Sequence, residues 1–361
     1  MRVLLATDAW TPQINGVVKT YLRLRDELER MGIELAVIEP SQFKCVPCPS
    51  YPQIPLALPS RRRAARLIEA AEADTIHIAT EGPIGWMVRG WCLRHGMPFT
   101  TSFHTRFADY VSARWPVPDS WGYAFQRRFH AASSGVMVAT RSLAQDLAGR
   151  GFVRLQAWTR GVDMDVFQPA PVRVFGPEPV FLYVGRVAVE KNIEAFLDLT
   201  LPGRKVVVGD GPQLAVLKER YPAVTFTGVL HGAELTAAYA SADVFVFPSR
   251  TDTFGMVLLE AIASGLPVAA YPATGPKDVV VPSVSGVLSE DLGVAARAAL
   301  SLDREGVRRA AEAFTWRAAA QLFIENIEVA RRPEPQRRGI PAGGPHSGAL
   351  SRLGSRGVFN L

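Results

Sequence analysis

Two doubly wound α/β domains, each a parallel sheet covered by helices, are what this sequence predicts. Short apolar runs alternate with amphipathic stretches, the alternation is written twice, and a proline-rich stretch with neither helical nor strand period separates the two copies. At 361 residues the chain is long enough for two such domains.

In the first copy, 3–7, 33–38, 75–79, 98–103 and 135–139 read as strands. Residues 16–31 carry Val17, Tyr21, Leu24 and Leu28 on one face with arginines and glutamates opposite, the pattern of an amphipathic helix. Arg61, Arg62, Arg63 and Arg66 cluster on another predicted helix. The boundary falls near 167–179, which is rich in proline. The second copy repeats the alternation with strands at 180–184, 205–208, 224–226, 244–247 and 267–270. A last helix runs from Phe314 to about residue 328, and the segment beyond Arg331, rich in Pro, Gly, Arg and Ser, reads as a disordered tail. The expected division is 1–166, 167–313, a helix in 314–331 and a tail over 332–361.

A content of 48% hydrophobic and 20% charged residues suits a soluble globular chain. No stretch approaches the roughly 18 uninterrupted apolar residues that would span a bilayer. A cytoplasmic protein is therefore expected. Cys45, Cys48 and Cys92 are too few for a disulfide framework. Cys45-Val46-Pro47-Cys48 has the spacing of a redox or half-zinc motif, but with no second pair it reads as a loop. The net charge of +6 matters through its placement. From Trp91 to Arg128 there are Arg94, Arg106, Arg114, Arg127 and Arg128 against only Asp109 and Asp119, interleaved with Trp91, Phe103, Phe107, Tyr110, Trp115, Trp121, Tyr123 and Phe125. Two readings stand: a surface for anionic membrane, or core aromatics beneath a solvated basic face. No nucleic-acid-binding motif accompanies the charge.

The most informative stretch is Pro248 to Pro267. After the apolar run Val244-Phe245-Val246-Phe247 comes Ser249-Arg250-Thr251-Asp252-Thr253-Phe254-Gly255, then a helical segment containing Glu260. Glycine lets the backbone approach a ligand closely, and the free N–H groups of the following helix suit a phosphate. Asp252 and Glu260, eight positions apart, stand at the helix entrance and about two turns inside it. Earlier, Gly185-Arg186-Val187-Ala188-Val189-Glu190-Lys191-Asn192 follows the run Val180–Val184 as another strand, basic loop and helix. Two cations at a helix N-terminus oppose its dipole unless an anion joins them.

These pieces resemble the retaining glycosyltransferases of the GT-B fold in glycosyltransferase family 4 ("glycosyl transferases group 1"), whose acidic signature has two carboxylates separated by seven residues. Further family-like pieces are Asp8-Ala9-Trp10-Thr11-Pro12-Gln13-Ile14-Asn15-Gly16-Val17, Ser102-Phe103-His104-Thr105, Arg160-Gly161-Val162-Asp163 and Gly209-Asp210-Gly211-Pro212. The likeness spans roughly residues 2–328. It departs from the family at Asp252, where Glu is commoner, and at Asn15, where many members have a second glycine; Asn tolerates the left-handed conformation.

The resemblance implies two Rossmann-like domains facing a cleft, the first binding acceptor and the second a nucleotide sugar. Arg186 and Lys191 would contact the donor diphosphate, with Gly16 near the phosphates. Thr253, Phe254 and Gly255 would lie at the donor, and Glu260 would meet its ribose. His104 would face the sugar, and Asp252 belongs to the catalytic set. Asp8 and Glu81 are candidate acceptor contacts, each with an equally ordinary structural reading; Glu81 would suit a helix N-terminus. His77, inside Ile76-His77-Ile78, reads as a hydrogen-bonded core residue.

The expected reaction transfers a sugar from a nucleotide diphosphate to a hydroxyl with retention, the leaving diphosphate guiding the acceptor. No cofactor or metal is expected, because two cations can carry the phosphate charge. Thr274-Gly275-Pro276-Lys277-Asp278 with the Asp252 loop looks most like bacterial diacylglycerol glycosyltransferases or GDP-mannose-dependent mannosyltransferases. The favoured acceptor is a membrane lipid with a UDP-sugar donor, placing the protein on the inner face of the cytoplasmic membrane. A nucleotide-sugar epimerase and a sugar-nucleotide sensor are the rivals.

Overall fold

The structure, a computed structural model, describes residues 1–13, 15–48, 51–112 and 118–331. The expected tail over 332–361, with Ile14, Arg114 and Trp115, lies outside the described residues, as does the side chain of Tyr110. The chain divides into two compact units: Met1–Arg160 with the C-terminal helix, and Gly161–Thr315.

The first unit runs β1 (Arg2–Ala6), α1 (Gly16–Arg30), β2 (Glu34–Ile38), β3 (Cys45–Cys48), β4 (Tyr51–Ala57), α2 (Arg61–Ala70), β5 (Thr75–Ile78), α3 (Pro83–His95), β6 (Phe99–Phe103), α4 (Phe107–Ser112), α5 (Asp119–His130), β7 (Gly135–Val138), α6 (Arg141–Gly149) and β8 (Leu155–Ala157). Six strands form a parallel sheet in the order β2-β1-β5-β6-β7-β8. Its order reverses between β1 and β5, where loops beyond the strand ends gather. The Cys45–Cys48 stretch, expected as a loop, is instead a strand paired antiparallel with β4. Pro47 and Pro55 face each other in that register. A two-stranded ribbon tolerates them because every strand in it is an edge. Cys45 is exposed and Cys92 buried, while the Cys48 side chain lies outside the described residues.

Asn15 adopts an extended φ of −152° and accepts the Val18 N–H at 3.0 Å. It caps α1 rather than supplying a left-handed turn, so its side chain does what the second glycine could not. The apolar face of α1 buries Val18, Tyr21, Leu24 and Leu28.

The second unit runs β9 (Val180–Val184), α7 (Glu194–Leu197), β10 (Arg204–Val208), α8 (Leu214–Arg220), β11 (Thr225–Gly228), α9 (Gly232–Ser241), β12 (Val244–Phe247), α10 (Met256–Ala263), β13 (Val268–Ala270), α11 (Pro276–Val279), β14 (Gly286–Leu288), α12 (Leu292–Ala299) and α13 (Arg304–Ala311). All its strand pairs are parallel, in the order β11-β10-β9-β12-β13-β14. β9 and β12 are buried along their whole length, which is why they read as unbroken apolar runs. The reversal point lies between them.

The units part at Arg160 and Gly161 rather than at residue 166. Val162 N–H donates to Phe314 O at 3.0 Å, and Arg308 donates to Met164 O and Phe167 O at 3.0 and 2.9 Å. These bonds hold 161–167 on the second unit. The last helix, α14 (Trp316–Arg331), packs on the first: Trp158 Nε1 donates to Ala319 O at 3.1 Å and Asn326 Nδ2 to Ala157 O at 2.8 Å. Phe323 and Ile327 there join Tyr21, Leu24 and Trp158 in one apolar cluster.

Candidate functional site

In the second unit, the loops after β9 and β12 meet at the reversal point. Val187 N–H donates to Asp210 O at 2.9 Å and Gln213 N–H to Val187 O at 3.1 Å. This brings Gly209-Asp210-Gly211-Pro212 against the β9 loop so closely that a Cβ on Gly209 would stand 1.9 Å from Gly185 O. Glycine is therefore obligatory there. Arg186 is exposed on this loop. The helix expected after it is only a 3-10 turn, Val189–Lys191, followed by the four-residue α7. Lys191 closes the turn rather than opening a long helix, so the dipole argument for an anion does not hold for it. Its charge is met by Asp252, whose Oδ1 lies 2.5 Å from Lys191 Nζ. Asn192 Nδ2 donates to Pro248 O and Thr251 Oγ1 to Glu190 O, both at 3.1 Å, tying the two loops into one surface.

Asp252 Oδ2 is buried with no hydrogen-bond partner. A desolvated carboxylate oxygen without a donor is costly, and a ligand hydroxyl would relieve it. Gly255 begins α10 at φ +81°, where an added Cβ would press on Leu258 Cδ1 at 3.0 Å and Phe247 Cζ at 3.1 Å. Phe254 turns inward and is buried, so only its backbone could serve a donor. Gly275 lies over the same loop, with a built Cβ 2.9 Å from Phe254 O. Glu260 is buried on α10, and its Oε2 accepts the Tyr239 hydroxyl at 2.8 Å. The sequence leaves ribose as the source of donors; the protein already provides one. Burial, with Glu260 beside it, pushes the Tyr239 phenol well above its ordinary value, so the proton stays on Tyr239.

In the first unit, Asp8 follows β1 and accepts from Ile84 N–H and Thr80 Oγ1 at 2.8 Å, and from Gly85 N–H at 3.3 Å. It thus caps α3 from a distant loop. Burial raises its pKa above the ordinary carboxylate value, and those bonds oppose the rise. Glu81 Oε1 accepts from Gln126 Nε2 at 3.0 Å and lies 3.1 Å from His130 Nε2. Gly16 opens α1 with open space where a Cβ would stand.

His104 lies just past β6. Its Nδ1 accepts from Arg160 Nη2 at 3.1 Å and its Nε2 is 3.0 Å from the Tyr21 hydroxyl. Burial first, then the charge of Arg160, holds the imidazole well below its ordinary pKa. His77 is fully buried and bonded to Tyr21, Thr100 and Ser102. Tyr21 and Arg160 were not singled out individually by sequence reasoning: Tyr21 reads as one more apolar helix position, and Arg160 as part of a motif. Tyr239 left no signal beyond its place in a helix.

Of the basic and aromatic set, Phe103 and Tyr123 are core, whereas Phe107, Trp121 and Phe125 are exposed, Trp121 by 71%. Arg106 pairs with Asp146 at 2.8 Å and Arg127 donates to Arg150 O at 2.9 Å, so part of the basic charge is engaged internally. Arg61, Arg62, Arg63 and Arg66 are exposed on α2. No described helix is long and apolar enough to cross a membrane. Among the described residues, no group of three or more His, Cys, Asp or Glu is placed to hold a metal ion. The pair Asp163-Met164-Asp165 has the spacing of a metal-binding signature, but Asp163 Oδ1 accepts the N–H groups of Asp165 and Val166 at 3.2 Å in a turn.

Two Rossmann-like units, each with loops gathered at a reversal point, make the architecture of the GT-B class. The family described as "Glycosyltransferase Family 4" matches residues 14–166, and "Glycosyl transferases group 1" matches 178–303. The chain is 33% identical over 316 residues to the "GDP-mannose-dependent alpha-mannosyltransferase" of Mycolicibacterium smegmatis, covering 80% of this chain and 84% of the relative. It is 27% identical to the "Alpha-monoglucosyldiacylglycerol synthase" of Streptococcus pneumoniae, covering 75% and 71%. Among solved structures, the sucrose-phosphate synthase of Thermosynechococcus elongatus superposes with a TM-score of 0.72 at 21% identity, covering 90% of this chain and 97% of that one, a likeness of fold. The protein belongs to the family 4 glycosyltransferases and moves sugar from a nucleotide sugar. That membership sets the epimerase and sensor alternatives aside.

Proposed function

We propose that this enzyme transfers a hexosyl group, with retention, from a nucleotide-diphosphate sugar to a hydroxyl of a membrane lipid. The observation that carries the donor half is the stitched pair of loops after β9 and β12, where Arg186 is exposed, Lys191 is held on Asp252, and Asp252 Oδ2 lacks a partner. In this reading Arg186, Lys191 and the N–H groups at Thr253 and Gly255 stabilise charge growing on the leaving diphosphate, each such donor being worth roughly 3 kcal/mol. Glu260 takes the ribose, its orientation held by Tyr239, and Gly16 is assigned to the donor phosphates. His104 serves the sugar, and Glu81 is the better placed acceptor contact, since Asp8 is spent on α3. The reaction needs no metal.

The acceptor half is supported by exposed Trp121 and Phe125 beside Arg127 and Arg128 on α5, and by the exposed arginines of α2. Such surfaces suit anionic lipid at the inner face of the membrane, each arginine contributing about 1 kcal/mol near it. The diacylglycerol-glucosylating relative is consistent with this, whereas the more similar mannosyltransferase favours GDP-mannose over a UDP-sugar as donor.

The test is to incubate purified protein with UDP-sugars or GDP-mannose and a membrane lipid extract, then analyse lipids and released nucleotide. A labelled glycolipid formed from one donor is expected. Transfer only to water-soluble acceptors, with no sedimentation on anionic vesicles at low salt, would overturn the lipid reading.

A further inference from the structure

The first unit holds a buried polar string that the proposed reaction leaves unexplained. Arg160 is buried, stacks on the Trp158 ring at 4.1 Å, and donates through Nη1 to Trp158 O and Thr159 O at 2.6 and 3.1 Å. Its Nη2 reaches His104 Nδ1 at 3.1 Å. A guanidinium has donors and no lone pair to accept with, so Nδ1 must be the acceptor and the ring hydrogen must sit on Nε2. That hydrogen points at the Tyr21 hydroxyl, 3.0 Å away. The Tyr21 hydrogen then passes to His77 Nε2 at 2.9 Å or Ser102 Oγ at 3.2 Å, and His77 Nδ1 ends the string on Thr100 Oγ1 at 2.7 Å. Phe323 of α14 packs edge-on against His77 at 4.9 Å and closes the string from water.

We infer that Arg160 and Tyr21 are positioning residues that hold His104 in one orientation as the neutral Nε2–H tautomer. This rests on the proposed role of His104 at the sugar. With the Nδ1 lone pair taken by Arg160 and Nε2 bearing the hydrogen, His104 has no site from which to accept a proton; it enters the reaction as a neutral polar group and never as a base. The titratable and charged groups facing the ring are Arg160, Tyr21, His77 and His130, and burial with the Arg160 charge disfavours the imidazolium.

Long-range proton–nitrogen correlation spectra of the full chain decide the tautomer directly. The expected His104 signal is a single neutral ring protonated at Nε2 between about pH 5 and 8. Tyr21→Phe keeps the aromatic packing and removes the oxygen that takes the Nε2 hydrogen; with Arg160 still on Nδ1 the tautomer should persist while the ring loses its fixed orientation, and kcat should fall about tenfold or more at unchanged donor KM. Arg160→Lys, which also only donates, should keep the tautomer, whereas Arg160→Met should lose it. An Nδ1–H ring or an imidazolium in the wild type overturns the inference, and so does a folded Tyr21→Phe that leaves kcat unchanged. The wild-type spectrum needs no variant to fold, and absence of transfer in the wild type counts against the proposed function alone.

Discussion

The two units solve the same topological problem in opposite ways. Each has a parallel sheet whose strand order reverses at one place, between β1 and β5 in the first and between β9 and β12 in the second. At the first reversal a side chain fills the position a ligand could take: Asp8 accepts the Ile84 and Gly85 N–H groups at the start of α3. At the second, the helix α10 starts at Gly255, which has no side chain to do so, and the nearby Asp252 keeps one oxygen without a partner. A reversal point is thus a place where a fold can bind, but a carboxylate from the chain itself can close it.

The sharpest way to break this comparison is to remove charge at the open site. Lys191→Ala and Arg186→Ala are each expected to lower turnover by at least about a hundredfold if, as proposed, they act on leaving-group charge. Circular dichroism should show the fold intact. Near-normal kcat in either variant would remove the diphosphate assignment and leave the two reversal points alike.

At the closed site the effect should fall on stability. Asp8→Ala strips acceptors from two helix N–H groups and the Thr80 hydroxyl, and a loss of about 1–3 kcal/mol is expected in denaturant titrations. Donor KM should stay as it was. If stability held while acceptor use vanished, Asp8 would belong to the acceptor site after all.

Acid should expose a second contrast. Burial, then the Arg160 charge, pushes His77 down to about 3, and His104 moves the same way. As pH falls below the ordinary 6.5, the unfolded chain takes up protons that the folded one refuses, so stability declines from about 6.5 towards 3. Each group adds a slope of up to about 1.4 kcal/mol per pH unit. Both histidines belong to the first unit, so hydrogen exchange should show it loosening before the second. A urea midpoint that stays level between about pH 7 and 5 would refute this.

The smallest expected effect is none: transfer should survive excess chelator if, as proposed, Arg186 and Lys191 carry the phosphate charge. Loss with EDTA and rescue by magnesium or manganese would show that charge neutralisation at the open site depends on an ion.

Much of this was legible in the residues because local rules agreed with the fold. β9 and β12 are unbroken apolar runs since both faces are covered. Gly209 is required by its close approach to Gly185 O, and Gly255 is favoured by its φ of +81°. Where the local signal was weak, the reading failed: with no second cysteine pair Cys45–Cys48 read as a loop, and only cross-strand pairing made it a strand. The short 3-10 turn at Val189–Lys191 likewise gives no periodicity long enough to distinguish it from a helix start.

By itself, then, the sequence determined two wound units, the loops that carry charge and the family to which they belong, because periodicity, glycine and motif order are properties of neighbours along the chain. Which charges are free and which are spent was decided only in three dimensions. Asp8 meets Ile84, Lys191 meets Asp252, Tyr239 meets Glu260 and Arg160 meets His104 across 76, 61, 21 and 56 positions. Hydrogen bonding depends on distances of about 3 Å that no local pattern encodes, and a buried carboxylate or imidazole takes its chemistry from whichever donor the fold brings there.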